Sequence, residues 1–263
     1  MIHLKGITQR YPSPDGEGEI TVVEDLDLHI DKPCITMLLG PSGCGKSTIL
    51  RMMGGFRPIG VVTPTEGEVF IDGAPCDGPH DDAVMVFQRY ANRPDLTVRE
   101  NVAFPFRFGL WKKRVPAEEA KKRVEEMLEA VGLGDKGELR PSQLSGGQNQ
   151  RVALARALVL KPRILLMDEP FGALDAQTRE EMQHLLVDLF KSIECAVVFV
   201  THDVAEALML GDRIVVLSTR PARVAEVFEL DEPRPRSALW YRSTASQKVQ
   251  ERILDLLHQS VAG

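Results

Sequence analysis

A nine-residue loop in the first fifth of the chain constrains the fold more than any other feature. It consists of Gly40, Pro41, Ser42, Gly43, Cys44, Gly45, Lys46, Ser47 and Thr48. The loop follows the compact apolar run Cys34–Leu39, and the polar-to-apolar segment Lys46–Met53 comes next. An apolar run of this length suits a strand buried on both faces. The pattern therefore predicts a strand, a phosphate-binding loop and a helix in succession.

The residue types of this loop suit a nucleoside triphosphate bound with Mg²⁺. Its glycines allow successive backbone N–H groups to point at phosphate oxygens, and the helix that begins near Lys46 adds the positive end of its dipole. The ammonium of Lys46 would neutralise the β- and γ-phosphates, and the hydroxyl of Ser47 would bind Mg²⁺. The alternative is a glycine turn that happens to contain a lysine. The strand and helix patterns on either side disfavour it.

Two adjacent carboxylates follow another apolar run. The run Arg163–Asp168 predicts a buried strand, and Glu169 comes directly after it. A carboxylate at the end of a buried strand can hold Mg²⁺, which is the role we assign to Asp168. Glu169 could polarise the attacking water as a general base. Taken alone, such a pair is as often a solvated turn, but the phosphate loop favours catalysis, and these residues indicate a phosphate-loop ATPase or kinase.

Strands and helices are predicted to alternate along the rest of the chain. The further elements are a hairpin or loop over Pro12–Gly18, helices over Pro116–Leu133, Gly147–Leu160, 177–191 and 203–210, and strands over Ala196–Val200 and Arg213–Leu217. This alternation is typical of an α/β fold with a mainly parallel sheet. Residues 89–158 lack convincing buried strands and are interpreted as an inserted helical subdomain. Residues 1–88 and 159–220 would form the nucleotide-binding core, and 221–263 a C-terminal extension ending in a short amphipathic helix.

Composition excludes several other classes of protein. A formal net charge of −6 disfavours a broad basic surface for nucleic acid, because that mode of binding needs many Lys and Arg side chains on phosphates. The four cysteines lack zinc-binding or disulfide spacing, which fits a reducing compartment. We find neither a secretory signal pattern nor an apolar run of roughly 18 to 20 residues. A chain of this kind would serve a membrane through partners.

The segment Leu144–Gln148 resembles the signature sequence of the ABC ATPase family. Its residues Ser145, Gly146, Gly147 and Gln148 come at the start of a predicted helix, where backbone N–H groups can form a second anion-binding nest. The resemblance implies a P-loop NTPase (RecA-like) core with an antiparallel β subdomain and the inserted helical subdomain. It also implies a dimer of two copies, in which the nest of one copy meets the γ-phosphate of ATP held by the other.

Other landmarks of this family occur in the same order along the chain. In the family, the matching glutamine, here Gln88, reaches toward Mg²⁺ and the attacking water, and Asp175 ends a loop that crosses the dimer interface. His202 matches a histidine near the γ-phosphate, and Tyr11 lies where an aromatic ring stacks on adenine. Taken singly, Gln88 could be a surface amide, His202 a partly buried histidine and Tyr11 a residue packed on the sheet; the order of the motifs favours the site roles. Asn149 departs from the longer polar or basic residue usual in the family.

The resemblance also implies partners and a location. Family members receive a cytoplasmic helix of a transmembrane permease beside the segment Arg89–Val98, and an extracytoplasmic solute-binding protein acts on that permease. Because the ATPase is on a separate chain, an importer is favoured, at the cytoplasmic face of the inner membrane. The stretches 212–223 and 232–236 resemble the ATPases of nitrate, sulfonate and taurine importers.

Two alternatives stay open on the sequence. A non-transport ABC module acting on nucleic acid or the ribosome is disfavoured, because the chain has neither long coiled-coil insertions nor a second ATPase domain. A small-molecule kinase or GTPase with a coincidental phosphate loop would have no role for residues Ser145–Gly147.

Overall fold

The computed structural model describes residues 1–13, 15–58, 61–88, 91–191 and 194–262, with side chains as far as residue 259. It forms two compact units, one of residues 1–83 and 196–263 and one of residues 84–195. Within the described ranges no helix is both long enough and apolar enough to cross a membrane.

The strands of the described ranges are β1 (Ile2–Pro12), β2 (Glu19–Ile30), β3 (Ile35–Leu39), β4 (Glu66–Ile71), β5 (Ala74–Pro75), β6 (Ala83–Val86), β7 (Ile164–Asp168), β8 (Ala196–Thr201), β9 (Arg213–Leu217) and β10 (Val224–Glu229). The α-helices are α1 (Lys46–Met53), α2 (Val98–Ala103), α3 (Gly109–Arg114), α4 (Ala117–Ala130), α5 (Gly146–Leu158), α6 (Ala176–Phe190), α7 (Val204–Leu210), α8 (Ala238–Tyr241) and α9 (Thr244–Ala262).

The first unit contains an antiparallel sheet with the strand order β2-β1-β4-β5. Strand β1 pairs with β2 from Ile2 opposite Ile30 to Pro12 opposite Glu19. The predicted hairpin lies between them, where the backbone N–H of Ser13 donates to the carbonyl of Gly18 at 3.0 Å. Pro14, inside that turn, is outside the described residues. This sheet is the antiparallel part that the sequence predicted.

The same unit contains the parallel strands that carry the phosphate loop. Their order is β10-β9-β3-β8, with β3 parallel to both β8 and β9. All five residues of β3 are buried, as its apolar run predicts. Strand β10, antiparallel to β9, was not predicted, because its sequence has no continuous apolar run, none of its residues is fully buried, and prolines lie on either side of it.

The last helix, α9, packs within the first unit. Helix α9 contacts α7 and β9, and its apolar residues Ile253 and Leu256 are buried, as an amphipathic helix requires. The helix is longer than the short one predicted. Its apolar side is therefore part of the packed unit.

The second unit is largely helical, as predicted for the middle of the chain. Helix α2 packs against α4 and α5, and α5 packs against α6. On α4, Val124 and Leu128 are buried, which matches the predicted amphipathic pattern. Strands β6 and β7 are neighbours, and all five residues of β7 are buried. The α/β fold with a mainly parallel sheet, an antiparallel sheet and a helical segment is confirmed, whereas the domain boundaries remain a proposal.

Candidate functional site

The phosphate loop joins the end of β3 to the start of α1. Gly45 caps the helix with a left-handed backbone, at a φ of 112°. Most residues with a side chain are strained in that conformation. A Cβ at Gly45 would also lie 3.1 Å from the Cγ1 atom of Val22 and 3.2 Å from its carbonyl oxygen. Glycine is therefore required here both by the backbone conformation and by the close approach of β2.

Lys46 folds back onto the loop that precedes it. Its ammonium donates to the carbonyl oxygens of Gly40, at 2.8 Å, and Pro41, at 2.9 Å, and the residue is only 4% exposed. A positive charge is thus held in place against the loop. A bound phosphate could take over these N–H groups without a large movement of the side chain.

His202 follows the strand that lies beside the phosphate-loop strand. In the parallel pairing of β3 and β8, Leu39 lies opposite Thr201, so the two strands end together. Asp203 caps α7 by accepting from the N–H groups of Ala205, at 2.8 Å, and Glu206, at 3.1 Å. His202 is therefore held between a strand end and a capped helix, at the edge of the sheet where ligands of α/β proteins bind.

Tyr11 lies at the far end of β1, opposite Ile20, and is half-buried. Strand β2 continues from this pairing to Val22, the residue that approaches Gly45. The first unit thus contains the phosphate loop, His202 and Tyr11.

The second unit brings Gln88 and Glu169 together. A Cβ at Gly172 would lie 3.4 Å from the Nε2 atom of Gln88 and 3.7 Å from the Oε2 atom of Glu169. Asp168, at the end of β7, is 7% exposed. Glu169 has a φ of 42°, which is uncommon for a residue with a side chain. Such strained positions cluster at functional sites, so the backbone of Glu169 fits a catalytic position.

Ser145, Gly146 and Gly147 form the start of α5, and we call these three residues the Ser145 nest. The hydroxyl of Ser145 accepts from the backbone N–H of Gln148 at 3.2 Å, and the Gln148 side chain accepts from the Ser145 N–H at 3.0 Å. This capping box fixes the helix start. Ser145 and Gly146 are exposed, so the positive end of the helix faces solvent.

The same unit places Asp175 close to the Ser145 nest. Asp175 caps α6 by accepting from the Thr178 N–H at 3.0 Å and from its hydroxyl at 2.7 Å. These hydrogen bonds lower the pKa of the Asp175 carboxyl. A Cβ at Gly147 would collide with the methyl group of Thr178, so the start of α5 and the start of α6 are in direct contact.

Two further residues make contacts at these sites that the sequence did not predict. The side chain of Asn149 donates to the carbonyls of Pro141, at 2.9 Å, and Ser145, at 3.2 Å, and accepts from Asn92 at 3.1 Å. The departure from the family pattern at Asn149 was the signal for it. The Nε atom of Arg220 donates to the Gly43 carbonyl at 2.9 Å. The sequence around Arg220 carried no signal for this contact.

No group of three or more His, Cys, Asp or Glu side chains is placed to hold a metal ion in the described part of the chain. Mg²⁺ in nucleotide sites typically takes one or two carboxylates and the substrate phosphates, so it needs no such cluster. The predicted donors Ser47, Gln88 and Asp168 are a hydroxyl, an amide and a carboxylate. All three offer the oxygen ligands that Mg²⁺ prefers, and their chemistry fits this ion.

Comparisons with known proteins agree with these features. A family model described as ABC transporter matches residues 23–172. The whole chain is 38% identical to the nitrate import ATP-binding protein NrtD of Synechococcus elongatus, covering 93% of that protein. It is 48% identical over 82% of its length to the spermidine/putrescine import ATP-binding protein PotA of Thermobifida fusca, covering 54% of it. A solved dimeric ATP-binding cassette, MJ0796 bound to ADP and Pi in a post-hydrolysis state, aligns with a TM-score of 0.73 and 36% identity, over 89% of this chain and 100% of that chain.

Proposed function

The chain belongs to the ABC transporter family, and on that premise we propose that it is the ATP-hydrolysing subunit that powers import of a small solute through separate permease subunits. The observation that carries this proposal is the Ser145 nest, a capped and exposed helix start in contact with α6. A kinase or GTPase would not need it. The relatives NrtD and PotA are import ATP-binding proteins, which favours transport over a role on nucleic acid or the ribosome.

In this proposal two copies of the chain enclose ATP between them. Lys46 and the phosphate-loop N–H groups hold the β- and γ-phosphates in one copy, and the Ser145 nest of the other copy meets the γ-phosphate. Tyr11 stacks on the adenine, and Asp175 lies at the boundary between the copies. A dimeric relative bound to ADP and Pi supports this arrangement. Closure around ATP and reopening after hydrolysis would supply the movement.

We assign separate roles in hydrolysis to Glu169, Gln88 and His202. Glu169 accepts a proton from the attacking water as a general base. Gln88, beside it, orients that water, and His202 contacts the γ-phosphate. Mg²⁺, held by Ser47, Gln88 and Asp168, would neutralise charge on the β- and γ-phosphate oxygens when bound.

The permease would dock in a groove of the second unit. A cavity of about 380 Å³ opens beside the predicted docking segment. The residues that line it include Phe87, Ala91, Arg93, Phe104 and Arg156. Phe87 is 46% exposed, which leaves an apolar surface for a partner. Arg89 and Tyr90 of the predicted segment lie outside the described residues.

Arg156 and Arg93 shape this docking groove. Arg156 donates to the Ala91 carbonyl at 2.8 Å, and the Arg93 guanidinium lies 5.0 Å from the centre of the Phe104 ring. These contacts fix the groove wall, so that a short helix of a permease could bind it at the cytoplasmic face of the inner membrane. The solute-binding protein would act through that permease. The likeness to NrtD supports assigning the chain to the group of nitrate, sulfonate and taurine importers.

Replacing Phe87 with Ser tests the docking groove. We expect permease association to weaken by about tenfold, because a half-exposed aromatic side chain loses its apolar contact with the partner. The measurement is co-purification and binding affinity with a candidate importer permease co-expressed with the chain. Leu239→Ser, which changes an 80% exposed side chain on α8, is the control and should bind as the wild type does. Unchanged association of Phe87→Ser would contradict docking in this groove.

A further inference from the structure

The loop that follows β9 lies against the phosphate loop. We call residues Ser218–Arg223 the Arg220 loop. The Nε atom of Arg220 donates to the Gly43 carbonyl at 2.9 Å, across 177 positions of sequence. A Cβ at Gly43 would lie 3.1 Å from the Nη2 atom of Arg220. The guanidinium therefore fits closely against a glycine in the middle of the phosphate loop.

The Arg220 loop is held in place by hydrogen bonds at both of its ends. The backbone N–H of Ser218 donates to the Arg223 carbonyl at 3.0 Å, and the Ser218 hydroxyl donates to the Pro221 carbonyl at 3.1 Å. The Ala222 N–H donates to the Val22 carbonyl at 2.8 Å. Because Val22 also approaches Gly45, strand β2 supports both the phosphate loop and the Arg220 loop.

The hydrogen bond from Arg220 to the Gly43 carbonyl also determines where the N–H group of Cys44 points. In a trans peptide the C=O and N–H point in opposite directions, so the N–H of Cys44 points away from Arg220. That N–H makes only a long bond, 3.3 Å, to the Pro41 carbonyl. The Pro41 carbonyl also accepts from the Lys46 ammonium at 2.9 Å. The Cys44 N–H and the Lys46 ammonium thus meet on the same side of the loop, opposite Arg220.

The charge of Arg220 also acts on this loop. Burial raises the pKa of the Cys44 thiol, and the positive charges of Lys46 and Arg220 oppose that rise. An anion bound at the loop would experience the same two charges.

We propose that Arg220 is a positioning residue for nucleotide binding. It orients the Gly43–Cys44 peptide so that the Cys44 N–H faces the phosphates, and it adds positive charge at the rim of the loop. This role depends on the proposed function in one respect, namely that the ligand of the phosphate loop is ATP.

The test compares Arg220→Ala, Arg220→Lys and Arg223→Ala in the full chain. Arg223 is the matched control, because it lies in the same loop but pairs with Glu24 on β2 at 2.6 Å. We expect Arg220→Ala to raise the Kd and KM for ATP by about five- to tenfold, with kcat within about twofold, since a charge-assisted hydrogen bond is lost. Arg220→Lys should recover part of the affinity. Arg223→Ala should keep the wild-type Kd, and melting temperatures check that each variant is folded.

Two results would overturn the proposal. One is an unchanged Kd for ATP in Arg220→Ala. The other is an equal loss in Arg220→Ala and Arg223→Ala, which would mean that the loop only needs to be packed. Failure of the wild-type chain to bind ATP would instead refute the proposed function, so the two failures are distinguishable.

Discussion

Replacing Glu169 with Gln is expected to lower the rate of ATP hydrolysis by about 10²- to 10⁴-fold while the affinity for ATP stays within about threefold. The substitution keeps the size of the side chain but removes its ability to accept a proton from water. The unusual backbone of Glu169, with a φ of 42°, is retained, so the position of the side chain next to Gln88 should persist. The measurement pairs steady-state phosphate release with ATP binding at equilibrium.

Glu180→Gln is the control for this variant. Glu180 is an exposed carboxylate on α6, and its substitution removes the same charge from the same unit. It should hydrolyse ATP at the wild-type rate. If Glu169→Gln also turns over normally, Glu169 has no part in the chemistry.

Replacing Ser145 with Arg is expected to reduce ATP hydrolysis by at least about 100-fold, while ATP still binds to the phosphate loop of the single chain. The change removes the hydroxyl that accepts from the Gln148 N–H, and it puts a long side chain where the helix start is exposed. In the proposed dimer that space belongs to the γ-phosphate of the other copy. The measurement is phosphate release against protein concentration, with ATP affinity measured in parallel.

Thr97→Arg separates this effect from general damage to a helix cap. Thr97 caps α2 with the same kind of capping box, formed with Glu100. Its substitution should cost stability but leave most of the hydrolysis, because α2 has no proposed contact with nucleotide. Normal hydrolysis in Ser145→Arg would favour a kinase or GTPase in which the Ser145 nest has no role.

The local features of the site could be predicted from sequence. The phosphate loop is determined by short-range requirements: a buried strand, glycines with left-handed backbones and a helix that begins at Lys46. The capping box of Ser145 and Gln148 is likewise local, since its two hydrogen bonds join residues three positions apart. Patterns of this kind are present in the chain itself and need no knowledge of the tertiary structure.

Contacts between distant segments could not be predicted in the same way. Arg220 reaches Gly43 only because β9 lies beside β3, and nothing in the sequence around Arg220 specifies that pairing. Asn149 was recognised as a departure from the family pattern, but its contacts were not predicted. In the structure its side chain donates hydrogen bonds to the Pro141 and Ser145 carbonyls and accepts one from Asn92. Tertiary hydrogen bonds of this kind depend on the fold.

The most direct test is the molar mass of the Glu169→Gln chain with ATP and Mg²⁺, measured by light scattering during size-exclusion chromatography. Two copies that share each triphosphate should give twice the chain mass of 29.2 kDa with ATP and a single chain without it. Adding Ser145→Arg to the same chain should restore the single-chain mass. A single-chain mass for Glu169→Gln at saturating ATP, with the permease present as well as absent, would contradict the shared site.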